Sequence, residues 1–205
     1  MIDTNEVIEF FDRLAPNWDK DMVRNESVIR IILNNAGVGT GKDVLDVACG
    51  TGVLFPDYIS RDVASLTAID ISPKMIENAK NKFENTNAAS DKMTVSIICG
   101  NVETYDFGRQ FDSIVIYNAF PHFPDPDRLI SILSKKLKPS GILTVAHGMS
   151  REKINSHHKG SAMHVSNGLM SVEELTDLFK KYLNVTTIIS NSSMYQVAGK
   201  KQKQE

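Results

Sequence analysis

The sequence predicts an α/β fold: a doubly wound, seven-stranded, mostly parallel sheet that closes with an antiparallel C-terminal hairpin. Three observations carry the prediction. Short apolar runs alternate with amphipathic helical segments from residue 44 to residue 146, the order that builds parallel sheets covered on both faces. The run VLDVACGTG, residues 44–52, ends a strand in a glycine-rich turn. Two final β-rich runs, NVTTIIS and SMYQVAG, are separated by polar turn residues and should pair antiparallel.

Residues 5–13 read as a helix with Val7, Ile8 and Phe11 on one face, and Pro16 limits its extension. A second helix is expected from about Val23 to Asn35, stopping near Gly37. Val44, Leu45 and Val47 form the first strand, and a helix from Val53 to Ser60 follows the glycine turn. Ser65–Asp70 is the second strand. Ser72 caps the next helix, Pro73 opens it, and Met75, Ile76, Ala79 and Phe83 share its buried side. The polar stretch ENTNAASDK is expected to be a loop before the strands Met93–Ile98 and Phe111–Tyr117. Asp125 caps a helix lined by Leu129, Ile130, Leu133 and Leu137, and Gly141–Ala146 is the fifth strand. A short helix is expected from Ser150 to His158. Ser171 and Glu174 spell a capping box for a helix that buries Leu175, Leu178, Phe179 and Tyr182.

A chain of 205 residues fits one domain, set here at residues 1–199. Within it, residues 1–36 read as an N-terminal helical cap, residues 147–170 as a lid-like insertion, and residues 200–205 as a flexible tail. The formal net charge of −2 offers no field for nucleic acid or an anionic membrane surface. Two cysteines, Cys49 and Cys99, make a disulfide framework improbable and point to a reducing compartment. Acidic residues interrupt every apolar run near the start, and no run approaches membrane-spanning length, so a soluble cytoplasmic protein is expected. Composition leaves monomer and homodimer both open.

The glycine turn asks for a nucleotide-type ligand, because Gly50 and Gly52 permit a tight turn and close approach to the backbone. A dinucleotide fingerprint needs a third glycine where this chain has Phe55, which disfavours a nicotinamide cofactor and a reductase. What remains is Asp46 before the turn and a second acid, Asp70, at the end of the next strand, suited to ribose hydroxyls. In this arrangement the sequence resembles the class I S-adenosylmethionine-dependent methyltransferases through most of its length. VLDVACGTG resembles their first motif, AIDISPKMI their second, GNVETYDF their adenine-binding segment, YNAFPHFPDP the segment after strand four, and LKPSGIL the turn into strand five. The upstream run FFDRLAPNWD resembles the N-terminal cap of the ubiquinone and menaquinone biosynthesis-type members.

The resemblance implies a Rossmann-like methyltransferase fold, S-adenosylmethionine as cofactor and transfer of a methyl group to a small-molecule acceptor through O, C, N or S. It further implies that Ala48, Gly50 and Gly52 set backbone against the methionine part, with Asp46 ordering the turn. Asp70 would accept both ribose hydroxyls, while Ile71 and Met75 would pack on the adenine ring. Asn101 stands where the family often has aspartate; its oxygen accepts like a carboxylate, but its amide adds donors. Val102 would offer its backbone N–H to the ring, Asn118 would lie near the sulfonium, and Trp18 would close the pocket by cation–π attraction.

Methyl transfer from a sulfonium needs alignment and exclusion of water, and a base only where the acceptor must lose a proton. All five histidines, His122, His147, His157, His158 and His164, fall in the second half. His122 follows strand four and His147 follows strand five, so topology sets both toward the methyl end, and His157 lies in the insertion. These three are the candidate bases. A metal site built on His157, His158 and His164 lacks a completing acid or cysteine pattern, and no metal is expected. Met149, Met163 and Met170, with Val165 and Leu169, either line an apolar acceptor pocket or pack the insertion. A protein that binds the cofactor without turning it over is the alternative from another functional class.

Overall fold

The computed structural model describes residues 2–20, 22–85, 93–158 and 163–202, and of His157 and His158 the backbone alone. Seven strands form one sheet in the order β3-β2-β1-β4-β5-β7-β6: β1 (Asp43–Val47), β2 (Ser65–Asp70), β3 (Thr94–Cys99), β4 (Phe111–Tyr117), β5 (Leu137–His147), β6 (Asn184–Ser190) and β7 (Tyr195–Lys200). The first five run parallel, and β7 enters antiparallel between β5 and β6. This is the doubly wound sheet that the alternation of the sequence predicts. The direction of winding reverses beside β1, whose neighbours are β2 and β4, and ligands of such sheets bind above the carboxyl ends of those strands.

Helices cover both faces: α1 (Thr4–Leu14), α2 (Glu26–Asn35), α3 (Phe55–Ser60), α4 (Pro73–Asn85), α5 (Pro126–Lys135), α6 (Arg151–His158) and α7 (Val172–Lys180). One core joins α5 and α7 to the sheet through Leu129, Leu133, Leu175 and Phe179 against Ile114, Leu143 and Val197. The opposite core joins α2, α3 and α4 through Ile29, Leu33, Tyr58 and Ile76 against Val44, Leu66 and Val115. Two-sided burial explains why β1, β2 and β4 are runs of apolar residues rather than alternations.

Helix starts follow their caps. Asp3 accepts from Asn5 N–H, Asp125 from Arg128 N–H, and Ser171 and Glu174 close the capping box. The second helix begins later than the periodicity suggests because Asn25 caps it through Val28 N–H, which leaves Val23 outside and 93% exposed. The helix after the glycine turn begins at Phe55 rather than Val53. Strand β5 starts at Leu137 instead of Gly141, and α5 ends correspondingly at Lys135. The extra length is a bulge: Phe111 faces Leu137, but Ser113 already faces Ile142. A Cβ on Gly141 would lie 2.9 Å from the Phe111 carbonyl oxygen, so the bulge needs glycine there.

The bulge turns Lys138 onto two acids, with its Nζ donating to Asp43 at 2.6 Å and Asp112 at 2.8 Å. Burial opposes ionisation of Asp43, but hydrogen bonds from Lys138, Ser65 and Arg109 outweigh it and hold its pKa well below the usual carboxylate range. Three residues further along the same strand, Asp46 behaves oppositely. It is 2% exposed and its Oδ2 has no hydrogen-bond partner among the described residues. Burial, and after it the Asp70 charge, push its pKa well above the ordinary value, and the Tyr58 hydroxyl offsets only part of this.

The two acids therefore give opposite pH signatures. Asp43 stabilises the fold above its unfolded-state pKa, and the contribution is lost as pH falls through its depressed folded value. Lys138→Met should lower stability at neutral pH by about 1 kcal/mol, a figure that allows for solvent screening, and its melting curve should meet the wild type's only in strong acid. Asp46 favours the folded state when protonated, so its ionisation costs stability as pH rises through the raised value. Asp46→Asn should stabilise the fold at neutral pH by on the order of 1–3 kcal/mol, with the advantage vanishing as pH falls to about 4 in thermal melts.

Candidate active site

A cavity of about 360 Å3 opens above the carboxyl ends of β1, β2 and β4. Its floor is the glycine turn. Gly50 has φ +55°, and a Cβ there would meet no atom within 4 Å, so backbone conformation selects glycine and the peptide is left open to a ligand. Gly52 serves differently. It has φ +79°, and a Cβ would lie 2.6 Å from the Phe55 ring, so Phe55 fills the space above it and Gly52 is absent from the cavity wall. Of the four residues with side chains that take the left-handed conformation, Ala48 (φ 53°) follows β1 and Asn118 (φ 56°) follows β4, while Asp62 and Ser140 lie elsewhere. Ala48 and Asn118 border the cavity, and such strained backbone concentrates at ligand sites.

The turn is held by Asp70. Its Oδ2 accepts Gly50 N–H at 2.8 Å and its Oδ1 accepts Ser72 N–H at 2.9 Å. Burial raises the Asp70 pKa, while the N–H groups of Ser72 and Gly50 pull against that rise. Asp46, expected to order the turn, lies behind it against Tyr58 and outside the cavity. The separation has a simple cause. In the pleated strand Asp46, four residues before Gly50, faces the α3 side of the sheet, whereas Asp70 ends its strand at the rim.

Of the other residues expected around the cofactor, Trp18, Ile71, Met75, Asn101, Val102 and Asn118 all border the cavity. Met75 and Val102 are buried, while Trp18 is 37% exposed and meets Phe11 edge to face at 5.7 Å. Of the two candidate bases whose side chains are described, His122 is brought to the cavity wall. His147 is buried at the end of β5 against Tyr195, away from the wall, because it continues the strand instead of leaving it. His157 closes α6, and its side chain lies outside the described residues. Among the described residues no group of three or more histidines, cysteines or acids comes together as a metal site.

His122 Nδ1 lies 2.8 Å from the Val165 carbonyl oxygen. A carbonyl only accepts, so Nδ1 carries the proton, and in the neutral ring Nε2 is the basic nitrogen. The Phe11 ring packs edge to face on the imidazole at 4.9 Å. Val165 belongs to the segment after α6 and sits in one apolar cluster with Ile2 and with Val7 and Phe10 of α1. Two segments distant in sequence thus meet over the loop that follows β4.

Sequence reasoning missed Arg24, Thr51, Tyr117 and Met22, all on the cavity wall. Arg24 pairs with Glu26 at 2.9 Å and Asp57 at 2.8 Å and donates to the Val53 carbonyl. Those carboxylates raise its pKa above the usual guanidinium value. Thr51 donates to Asp19, which also pairs with Lys82 at 2.7 Å, fastening the stretch after α1 to the glycine turn and α4. Nothing in the local sequence pattern announces these long-range pairs.

Residues 44–141 match the model of a methyltransferase domain. The chain is 30% identical over 146 residues to a malonyl-[acyl-carrier protein] O-methyltransferase of Acetivibrio thermocellus, covering 70% of this chain and 49% of that protein. It is 34% identical over 105 residues to a ubiquinone biosynthesis O-methyltransferase of Coxiella burnetii, covering 50% and 42% respectively. The chain therefore spans about half the length of the curated relatives it matches. The crystal structure of a magnesium protoporphyrin IX methyltransferase from Synechocystis PCC 6803 with bound SAH superposes with a TM-score of 0.73 at 14% identity, covering 98% of this chain and 100% of that one. The matched model and the relatives show a methyltransferase domain in residues 44–141, and the solved methyltransferase structure shares its fold.

Proposed function

We propose that this protein transfers a methyl group from S-adenosylmethionine to a small, uncharged, largely apolar acceptor whose reacting atom gives up a proton. The observation that carries the reading is a single cavity with the open glycine turn and Asp70 at one end and His122 within an apolar wall at the other. The residues fit the cofactor. Asp70 keeps lone pairs for ribose hydroxyls beside the two N–H groups it already accepts, and the open peptide at Gly50 offers close approach. When bound, S-adenosylmethionine supplies a methyl group already activated on a sulfonium.

The acceptor end is lined by Val7, Phe11, Met22, Phe123, Pro124 and Met149, with Trp18 and Val23 at its exposed rim. Such a wall favours flat apolar molecules and excludes water from the reacting atoms. Arg24, the cation there, is already neutralised by Glu26 and Asp57, which disfavours a carboxylate-bearing acceptor. His122 takes the acceptor proton on Nε2, because its Nδ1–H is committed to Val165. A role in O-methylation, as the name of the ubiquinone biosynthesis relative gives for that protein, is compatible with this wall. Residues 1–36 and 147–170 act in this reading as covers on one methyltransferase domain spanning residues 1–199, with Asp46 and Gly52 supporting the turn from behind.

Binding of SAH, measured by calorimetry, should fall at least about 100-fold in Asp70→Ala, since two hydroxyl hydrogen bonds to a charged acceptor are lost. Wild-type affinity should also weaken on acidification at a higher pH than an ordinary carboxylate would give. The pKa of Asp70 is raised, so its acceptor form is lost as pH falls through that raised value. Unchanged affinity in Asp70→Ala refutes the cofactor placement. Once an acceptor is found by methyl-label transfer in extracts, His122→Gln should lower kcat about 10²-fold or more with little change in KM, and an equal loss in KM alone would assign His122 to binding.

A further inference from the structure

A second cavity, of about 300 Å3, lies beside the loop that carries His122 and shares only Phe123 with the first. Its wall joins Phe120 and Pro121 of that loop to Arg151 of α6, to Met170 and to Glu174 of α7. The two opposite charges in this wall are each fastened to backbone. Arg151 donates from Nε to the Leu169 carbonyl at 2.9 Å, and that carbonyl is itself held by Asn155, which accepts the Leu169 N–H at 2.7 Å and donates back at 3.2 Å. Glu174 Oε2 accepts the Ser171 N–H at 2.8 Å as part of the capping box. Hydrogen bonds from Ser171 hold the Glu174 pKa below the usual glutamate value, so it is a carboxylate at neutral pH. Fastened in this way, the two side chains form no ion pair with each other, and the Arg151 η nitrogens have no acceptor among the described residues. Arg24 of the first cavity shows the contrast, since Glu26 and Asp57 close it off.

We propose that this second cavity binds an α-amino acid with an apolar side chain, its carboxylate on the Arg151 guanidinium and its ammonium on the Glu174 carboxylate. The edge formed by the two η nitrogens offers paired N–H donors in the planar geometry that a carboxylate accepts. Glu174 keeps Oε1 as an acceptor for the ammonium. A simple anion would meet Glu174 as a like charge, and a simple cation would meet Arg151 in the same way, so a ligand carrying both charges is the one that both sides favour. The rest of the wall is apolar, with Phe120 and Pro121 buried and Met170 half-buried. An α-amino acid presents three unlike arms from one carbon, and they match the three unlike parts of this wall. The site stands apart from the cofactor reading, because its charged residues border the second cavity and not the first.

Calorimetric titration of the full chain with L-leucine, L-phenylalanine and L-methionine tests this, with SAH present in excess to occupy the first cavity. At least one should bind with a Kd on the order of 1 mM or below. For L-leucine, isocaproate, which lacks the ammonium, and L-leucinamide, which lacks the carboxylate, should each bind about tenfold more weakly or worse. Arg151→Gln and Glu174→Gln should each weaken amino-acid binding by about tenfold or more and leave SAH affinity within about twofold of wild type. Glutamine at position 174 still accepts the Ser171 N–H through its amide oxygen, so that variant keeps the capping box and decides the matter if Arg151→Gln fails to fold. Absence of binding by all three amino acids up to about 10 mM overturns the proposal. So does amino-acid affinity within about twofold of wild type in a folded variant, or equal affinity for L-leucinamide. Failure of SAH itself to bind overturns the cofactor reading alone, because the two variants still report on the second cavity.

Discussion

The structure turns on the Asp70 carboxylate. One oxygen holds Gly50 N–H in the turn after β1, and the other holds Ser72 N–H at the entrance to α4. Ser72 in turn caps α4 by accepting Met75 N–H at 3.1 Å and donates to Asp12 of α1 at 2.5 Å. One buried acid therefore ties together two adjacent strands, the glycine turn and the helix that the N-terminal segment lies on. The cost of burying it is visible in its raised pKa, and the two backbone donors are what make the charged form tolerable. The carboxylate that orders the turn keeps further lone pairs for hydroxyls, so the folding requirement and the binding requirement fall on one group.

Much of the fold was legible because its signals are local. Apolar runs of strand length, caps at Asp125 and Ser171, and a proline at the first helical position each report on a few neighbouring residues. The start of β5 was misplaced because the bulge at Lys138–Gly141 depends on Asp43 and Asp112, which lie far away in sequence. No window of local pattern contains that ion pair. The lysines near the end of α5 read most simply as partners of the helix dipole, and only the fold shows that Lys138 belongs to the sheet.

The site divides along the same line. Asp70, Ile71, Met75, Asn101 and Val102 follow strands of the parallel sheet, so topology alone sends them to the cavity. The same rule sent His147 there, and it failed because β5 runs on through that residue to pair with Tyr195. Asp46, read as ordering the turn, lies outside the cavity because it sits within the strand, where pleating rather than chain order decides which side of the sheet a carboxylate faces. Arg24 and Thr51 went unnoticed because their partners, Asp57 and Asp19, are defined only by the way the N-terminal segment folds back.

The acceptor end is assembled from pieces that share no local signal. His122 comes from the loop after β4, the carbonyl that fixes its tautomer from Val165, and the ring that packs on it from Phe11. Asn167 holds the second of these segments to the first, its N–H donating to Pro121 at 2.9 Å and its side chain to Phe123 at 3.1 Å. These contacts bind the segment after α6 to the very loop that presents the imidazole. The nitrogen offered to an acceptor in the proposed function is thus set by a contact between distant segments, whereas Asp70 holds the glycine turn from within the parallel sheet.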